Sequence, residues 1–172
     1  MKKLFAILSV IALAACADEP LPSEAGPNNV VQATALGGDV QTAVNTMRAV
    51  TARYHSLAAA MADDFVLLHP CEARGDEGPV GTVYVNFARL LDGAIDPALP
   101  DALIYEPASN GGVKLVGVEF AVVNSGQSAP TFLGNVFQRE DEFGVFALHA
   151  WVWKTNPEGM FAETNPRVSC GA

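Results

Sequence analysis

The chain has few basic residues, and this scarcity limits the partners it can bind. It contains 10 lysines and arginines against 19 aspartates and glutamates, for a net charge of −9. An acidic protein repels phosphate backbones, and no local stripe of basic residues offsets this repulsion. Nucleic acid is therefore not an expected partner.

The chain also lacks an apolar run long enough for a transmembrane helix, which needs roughly 20 residues. The apolar run at residues 4–12 follows Lys2 and Lys3, as in a signal peptide, and ends near acidic Asp18. Residues 13–16, Leu-Ala-Ala-Cys, match the bacterial lipobox. We expect a lipoprotein signal peptide at residues 1–15 and lipidation of Cys16. The alternative is an ordinary secretory signal cut after residues 12–14.

Lipid on Cys16 would make a membrane the first partner of this protein. Acyl chains contribute about 0.8 kcal/mol per buried CH₂, so a multiply acylated cysteine holds the chain at a bilayer without help from the fold. Ala17 is not the aspartate that often retains lipoproteins at the inner membrane, which favours the periplasmic face of the outer membrane. Loss of Lys2 and Lys3 with the signal peptide would change the net charge to 8 − 19 = −11.

Only three cysteines are present. With Cys16 used by lipid, Cys71 and Cys170 are left in an oxidising compartment, where we expect them to form a disulfide. The alternatives are two free thiols or thiolate metal ligands, but no CxxC or Cys/His spacing accompanies them.

Motifs for cofactors and familiar catalytic sites are missing as well. The sequence has no GxSxG, P-loop or GxGxxG pattern. Its three histidines, His55, His69 and His149, form no HxH or HxxxH pair. We therefore expect no cofactor and assign no metal ligands, and the oligomeric state stays open.

The remaining chain divides into a flexible tether at residues 16–38, rich in proline and glycine, and one domain at residues 39–172. Apolar residues spaced by three and four from Val40 to Phe65 predict a long helix with Asp39 as its N-cap, ending near Ala62. Strands are expected at residues 65–68, 83–85, 102–106, 113–123 and 144–153, with a hairpin at Asn110-Gly111. This pattern predicts an α+β domain, a long N-terminal helix packed on a curved antiparallel sheet with one disulfide, a layout shared with NTF2-like cones.

Alternation along two strands indicates a candidate site. Period two places Val116, Val118, Phe120 and Val122 on one face of their strand and Leu115, Gly117 and Glu119 on the other. In the last strand Phe146, Leu148, Ala150 and Val152 share a face, opposite His149, Trp151 and Trp153.

If the two polar faces adjoin, His149 and Glu119 could form an acid-base pair in a pocket. The predicted ligand-binding residues around it are Tyr84, Asn86, Tyr105, Trp151 and Trp153. The plainer alternatives are a structural hydrogen-bonded pair and tryptophans that only pack.

The chain contains the segments Tyr84-Val85-Asn86, Tyr105-Glu106-Pro107, Gly117-Val118-Glu119-Phe120, His149-Ala150-Trp151-Val152-Trp153 and Asn165-Pro166-Arg167-Val168-Ser169-Cys170. Together they resemble a family of small exported bacterial proteins without known activity. The resemblance covers residues 53–170. Relatives carry histidine before the Tyr-Val-Asn run, where this chain has Val83, so a possible ligand is missing.

Three functions remain open. The first is a lipid-anchored envelope protein that binds a small molecule or a partner protein. The second is an NTF2-like enzyme that uses His149 as a general base oriented by Glu119. The third is a periplasmic copper or zinc protein that uses His149, His69 and Glu119.

Overall fold

The computed structural model describes the backbone of residues 27–71 and 78–171, and the side chains from residue 38 onward within those ranges. The helices are α1 (Pro27–Thr51), the 3₁₀ helix η1 (Ala52–His55), α2 (Leu57–Ala62) and α3 (Phe87–Leu90). The strands are β1 (Val66–His69), β2 (Thr82–Val85), β3 (Ala102–Pro107), β4 (Val113–Val123), β5 (Thr131–Phe132), β6 (Asn135–Val136), β7 (Gln138–Glu140) and β8 (Val145–Ala150).

Six of these strands form one antiparallel sheet in the order β1-β2-β3-β4-β8-β7, and β5 pairs with β6 separately. This arrangement confirms the α+β class and the antiparallel sheet. The hairpin between β3 and β4 is also confirmed. Its turn is longer than a two-residue type I′ turn, because Ala108 N–H bonds to Gly112 O and only Gly111 has a positive φ, of 79°.

The start of α1 corrects one prediction. The helix begins at Pro27, so Asp39 lies within it rather than at its N-cap, and residues 27–38 of the predicted tether are helical. Proline is tolerated in the first turn because its missing N–H has no intrahelical partner there. Residues 1–26, with Cys16 and the signal peptide, lie outside the described residues. Within residues 27–71 and 78–171, no helix is both long and apolar enough to cross a bilayer.

The periodicity predicts one helix that continues to Ala62, but the helical segment is interrupted. Ser56 takes an extended conformation (φ −89°, ψ 110°) between η1 and α2. The break rotates the apolar side chains about the helix axis, so Ala60 is buried whereas Met61, one of the apolar residues at the predicted spacing of three and four, is 60% exposed. The predicted end of the helix at Ala62 is confirmed.

One face of the sheet packs against the helices. Ala43, Val44 and Met47 of α1 are buried there, and Tyr54 and Phe65 extend the contact beyond the helix. The sheet side of this cluster consists of Leu103, Tyr105, Leu115, Val118, Phe120, Phe146, Leu148 and Ala150. The predicted inward face of the last strand is thus correct for its residues from Phe146 to Ala150.

The opposite face carries a second cluster and is partly covered by the C-terminal segment. Val83, Ile104 and Trp151 are buried there, together with Val168 near the end of the chain. Cys71 and Cys170 form a disulfide with Cα atoms 5.1 Å apart, which confirms the predicted pairing. The crosslink fixes the C-terminal segment beside β1.

A β-bulge changes the predicted faces of β4. Ile104 pairs with Gly117 but the next residue, Tyr105, pairs with Leu115, so Val116 has no partner in the ladder. Leu115 therefore joins the helix-side cluster and Val116 the opposite one, the reverse of the prediction. The alternation holds beyond the bulge, where Glu119 stays on the face away from the helices.

Candidate functional site

The neighbouring strands β4 and β8 bring Glu119 and His149 together. Their Cα atoms are direct partners in the antiparallel ladder, so both side chains stand on the same face. Glu119 Oε2 lies 3.5 Å from His149 Nε2. Both residues are buried, with 9% and 6% of their surface exposed. The predicted face pairing of these two strands is therefore correct.

The other ring nitrogen of His149 fixes the protonation pattern of the pair. Nδ1 lies 2.5 Å from the carbonyl oxygen of Glu163, and a carbonyl oxygen can only accept, so Nδ1 carries a hydrogen. Burial acts to lower the pKa of His149, but the hydrogen bond and charge of Glu119 and the Glu163 carbonyl outweigh it and raise the pKa above 6.5. The Glu119 carboxylate thus favours the protonated form of the His149 ring.

Glu119 also lines a cavity of about 120 Å³ on this face of the sheet, which we call the Glu119 cavity. The other lining residues are apolar: Leu68, Val85, Phe87, Leu90, Ala102, Ala121, Phe143 and Val145. His149 is not among them. The cavity wall is therefore apolar except for Glu119, whose carboxylate also contacts His149 outside the cavity.

The cavity walls use residues that the sequence analysis does not identify as site residues. Phe87 and Leu90 lie on the short helix α3, and Phe143 lies in the turn between β7 and β8. The signal for α3 is Asn86, whose side-chain oxygen accepts from Arg89 N–H at 3.1 Å as an N-cap. In the sequence, this N-cap residue followed by two apolar residues three positions apart is the signal that could have predicted the helix.

Trp151 is the one predicted ligand-binding residue that contacts the acid-base pair. Its ring lies edge-on to that of His149, with centroids 5.9 Å apart, and it is 2% exposed. The indole N–H donates to Ala162 O at 2.7 Å. Trp151 packs behind His149 and does not line the Glu119 cavity.

The other four predicted ligand-binding residues lie elsewhere. Asn86 donates to Asp63 O in addition to capping α3. Tyr84 and Tyr105 belong to the helix-side cluster, where their rings contact edge-on at 5.6 Å. Trp153 joins the same side because β8 ends at Ala150, before the alternation could carry Trp153 to the face of His149. None of the four lines the Glu119 cavity.

Asp101 is a further buried carboxylate close to Glu119. It is 1% exposed, and its Oδ2 accepts from Ala121 N–H at 2.9 Å. Within the described part of the chain its Oδ1 has no hydrogen-bond partner. Burial and the charges of Asp92 and Glu119 raise the pKa of Asp101 to about 7, although the Ala121 hydrogen bond opposes this shift.

The three residues of the copper or zinc alternative do not form a metal site in the described part of the chain. Across residues 27–71 and 78–171, no three His, Cys, Asp or Glu side chains group as a metal site. His69 instead stacks on Phe143 at 5.7 Å, and its Nδ1 lies 2.9 Å from Pro70 O. The structure therefore gives no geometry for the proposed site of His149, His69 and Glu119.

No protein-family model, curated protein or solved structure matches this chain. The kinship with small exported bacterial proteins and the NTF2-like layout accordingly stay predictions.

Proposed function

We propose that this chain is a lipid-anchored cell-envelope protein that binds a small, largely apolar molecule carrying a cationic or hydrogen-bond-donating group. The observation that carries the proposal is the Glu119 carboxylate in a wall that is otherwise apolar. The apolar wall favours a hydrocarbon body, and the carboxylate accepts one polar group from it.

The cavity volume limits the ligand to about the size of one ring. An enclosed apolar cavity of roughly 150 Å³ holds benzene, so the Glu119 cavity, which has about 120 Å³ and is partly open, takes at most one ring with its substituents at the opening. A carboxylate is an acceptor only, so a matching ligand donates a hydrogen bond to it. With His149 protonated the Glu119–His149 pair is neutral overall, but only its negative end, Glu119, lines the cavity, so an ammonium group still gains attraction there. A ring-sized amine or alcohol is the class that fits.

His149 supports this role by holding the carboxylate, not by reacting with the ligand. Its Nδ1–H is engaged by Glu163 O, its Nε2 faces Glu119, and the residue is 6% exposed. The predicted general-base role would need a free ring nitrogen that reaches the cavity. His149 is thus a positioning residue, and binding is better supported than catalysis.

Three probes of one shape and different charge test the proposal. We would measure binding of 4-fluorobenzylamine, 4-fluorobenzyl alcohol and 4-fluorobenzoate by ¹⁹F NMR, with the full chain in lipid nanodiscs and empty discs as the blank. The amine should bind best at Glu119, and Glu119→Gln should weaken amine binding by about tenfold, the usual value of a charged hydrogen bond.

The matched control is Glu158→Gln, which removes one carboxylate from an exposed residue of the same type. This variant should bind the amine like the original protein. Amine binding that is absent, or equal in Glu119→Gln and Glu158→Gln, would contradict the proposal.

The location in the envelope is proposed from the lipobox at residues 13–16 and the preceding signal-like residues. Metabolic labelling with a palmitate analogue should mark the protein, and Cys16→Ser should abolish the label. Mass spectrometry should find Cys16 as the acylated first residue. An N-terminus elsewhere, without fatty acid, would refute the anchor.

We also propose that the sheet curves around the long helix α1, as in NTF2-like cones, and that residues 53–170 share ancestry with the small exported bacterial proteins they resemble. Support for the layout comes from the packing of Ala43, Val44 and Met47 on one sheet face. A flat sheet in a crystal structure of this chain would contradict the proposed curvature.

A further inference from the structure

A second cleft, of about 260 Å³, lies between α1 and the chain that follows β8. We call it the Arg48 cleft. Its lining residues are Arg48, Trp151, Val152, Trp153, Lys154, Thr155, Asn156 and Met160. Unlike the Glu119 cavity, it contains two basic residues and no carboxylate.

Arg48 is held in place and still has hydrogen-bond donors to offer. Its Nε donates to Val152 O at 2.8 Å, which fixes the plane of the guanidinium and leaves the two terminal nitrogens as a pair. Among the described residues, no carboxylate lies within ion-pair distance of Arg48. In a chain of net charge −9, this arginine is a local positive centre.

The other basic residue of the cleft is already neutralised. Lys154 Nζ bonds to Glu106, which is 8% exposed. The Lys154–Glu106 pair adds no net charge, so the cleft carries the single charge of Arg48. A complementary ligand needs one negative group.

The aromatic side chain of Trp153 lines the same cleft as Arg48. The indole N–H of Trp153 donates to Thr51 Oγ1 at 3.0 Å, and the ring of His55 contacts it edge-on at 4.4 Å. These contacts fix the half-buried Trp153 ring, and Met160 adds a further apolar surface. Fixed aromatic surfaces bind planar apolar groups with little loss of side-chain entropy.

We propose that the Arg48 cleft is a second binding site, which takes a small aromatic carboxylate. The two terminal guanidinium nitrogens match the two oxygens of a carboxylate, and the ring of the ligand packs on Trp153 and Met160. The site selects the opposite charge from the Glu119 cavity and does not depend on it.

The test is 4-fluorobenzoate binding by ¹⁹F NMR to the full chain in nanodiscs. Arg48→Gln should weaken binding by about tenfold, as expected for loss of a charged hydrogen-bonded pair. Arg139→Gln is the matched control, because it removes the same charge from an exposed arginine that pairs with Asp141. It should leave benzoate binding unchanged.

Arg48→Lys separates charge from geometry, since lysine keeps the charge but loses the planar pair of donors. It should bind benzoate more weakly than the original protein and more tightly than Arg48→Gln. If Arg48→Gln fails to fold, Thr155→Trp fills the cleft from its exposed rim, leaves Arg48 in place and should abolish binding. Absent benzoate binding, or equal weakening in Arg48→Gln and Arg139→Gln, overturns the proposal.

Discussion

The pairing of His149 with Glu119 gives a stability prediction that a double-mutant cycle can measure. Two unit charges 3.5 Å apart attract by about 4 to 5 kcal/mol at an effective dielectric constant of about 20. Desolvation of both groups offsets much of this attraction. We expect a coupling free energy of about 1 to 3 kcal/mol between His149→Leu and Glu119→Gln.

The same pair makes stability depend on pH. The folded-state pKa of His149 lies above its unfolded value of 6.5, so the stabilisation is fully present below pH 6.5 and is lost as the pH rises through the folded-state pKa. One proton gives a slope of at most about 1.4 kcal/mol per pH unit. In Glu119→Gln the imidazolium loses its counter-charge, and this slope should disappear.

The assay is urea unfolding of the original protein, both single variants and the double variant at several pH values from 5.5 to about 9. Glu158→Gln serves as the exposed control. A coupling free energy near zero, or a His149→Leu variant with the same pH slope as the original protein above pH 6.5, would refute the ion pair.

Three further substitutions test other parts of the account. Asp101 has a folded-state pKa raised from 3.8 to about 7, so the protein loses stability as the pH rises between these values, by up to about 4 kcal/mol in total. Asp101→Asn should remove this loss in urea unfolding. An unchanged dependence of the unfolding free energy on pH would contradict the assignment. The Cys71–Cys170 bond joins residues 99 apart, so replacing both with serine should lower the unfolding free energy by up to about 4 to 5 kcal/mol, and an unchanged melting temperature would contradict this. Met47 is fully buried and Met61 is 60% exposed, so Met47→Ala should lower stability by about 2 to 5 kcal/mol and Met61→Ala by under about 0.5 kcal/mol, whereas equal losses would refute the assigned core.

Most of the sheet could be predicted because its signals are local. Alternation in β8 and in β4 beyond Gly117 fixes which side chains share a face, and Asn110-Gly111 indicates the hairpin. The meeting of Glu119 with His149 needed one further assumption, that β4 and β8 are neighbours, and their pairing register supplies it.

The missed features depend on contacts that a local pattern does not contain. The bulge at Val116 and the extended Ser56 each shift a periodic pattern, and neither shift is contained in the pattern itself. The walls of the Glu119 cavity come from α3 and the β7–β8 turn, far apart in sequence. Only the folded chain shows that Tyr84 and Tyr105 face the helices while Phe87 and Phe143 face the carboxylate.

The most direct test of the central claim is a crystal structure of this protein soaked with 4-fluorobenzylamine. The account predicts the ring among the apolar residues of the Glu119 cavity and the amine nitrogen within about 3 Å of the Glu119 carboxylate. A probe bound elsewhere, or a Glu119 cavity left empty at saturating probe, would contradict it.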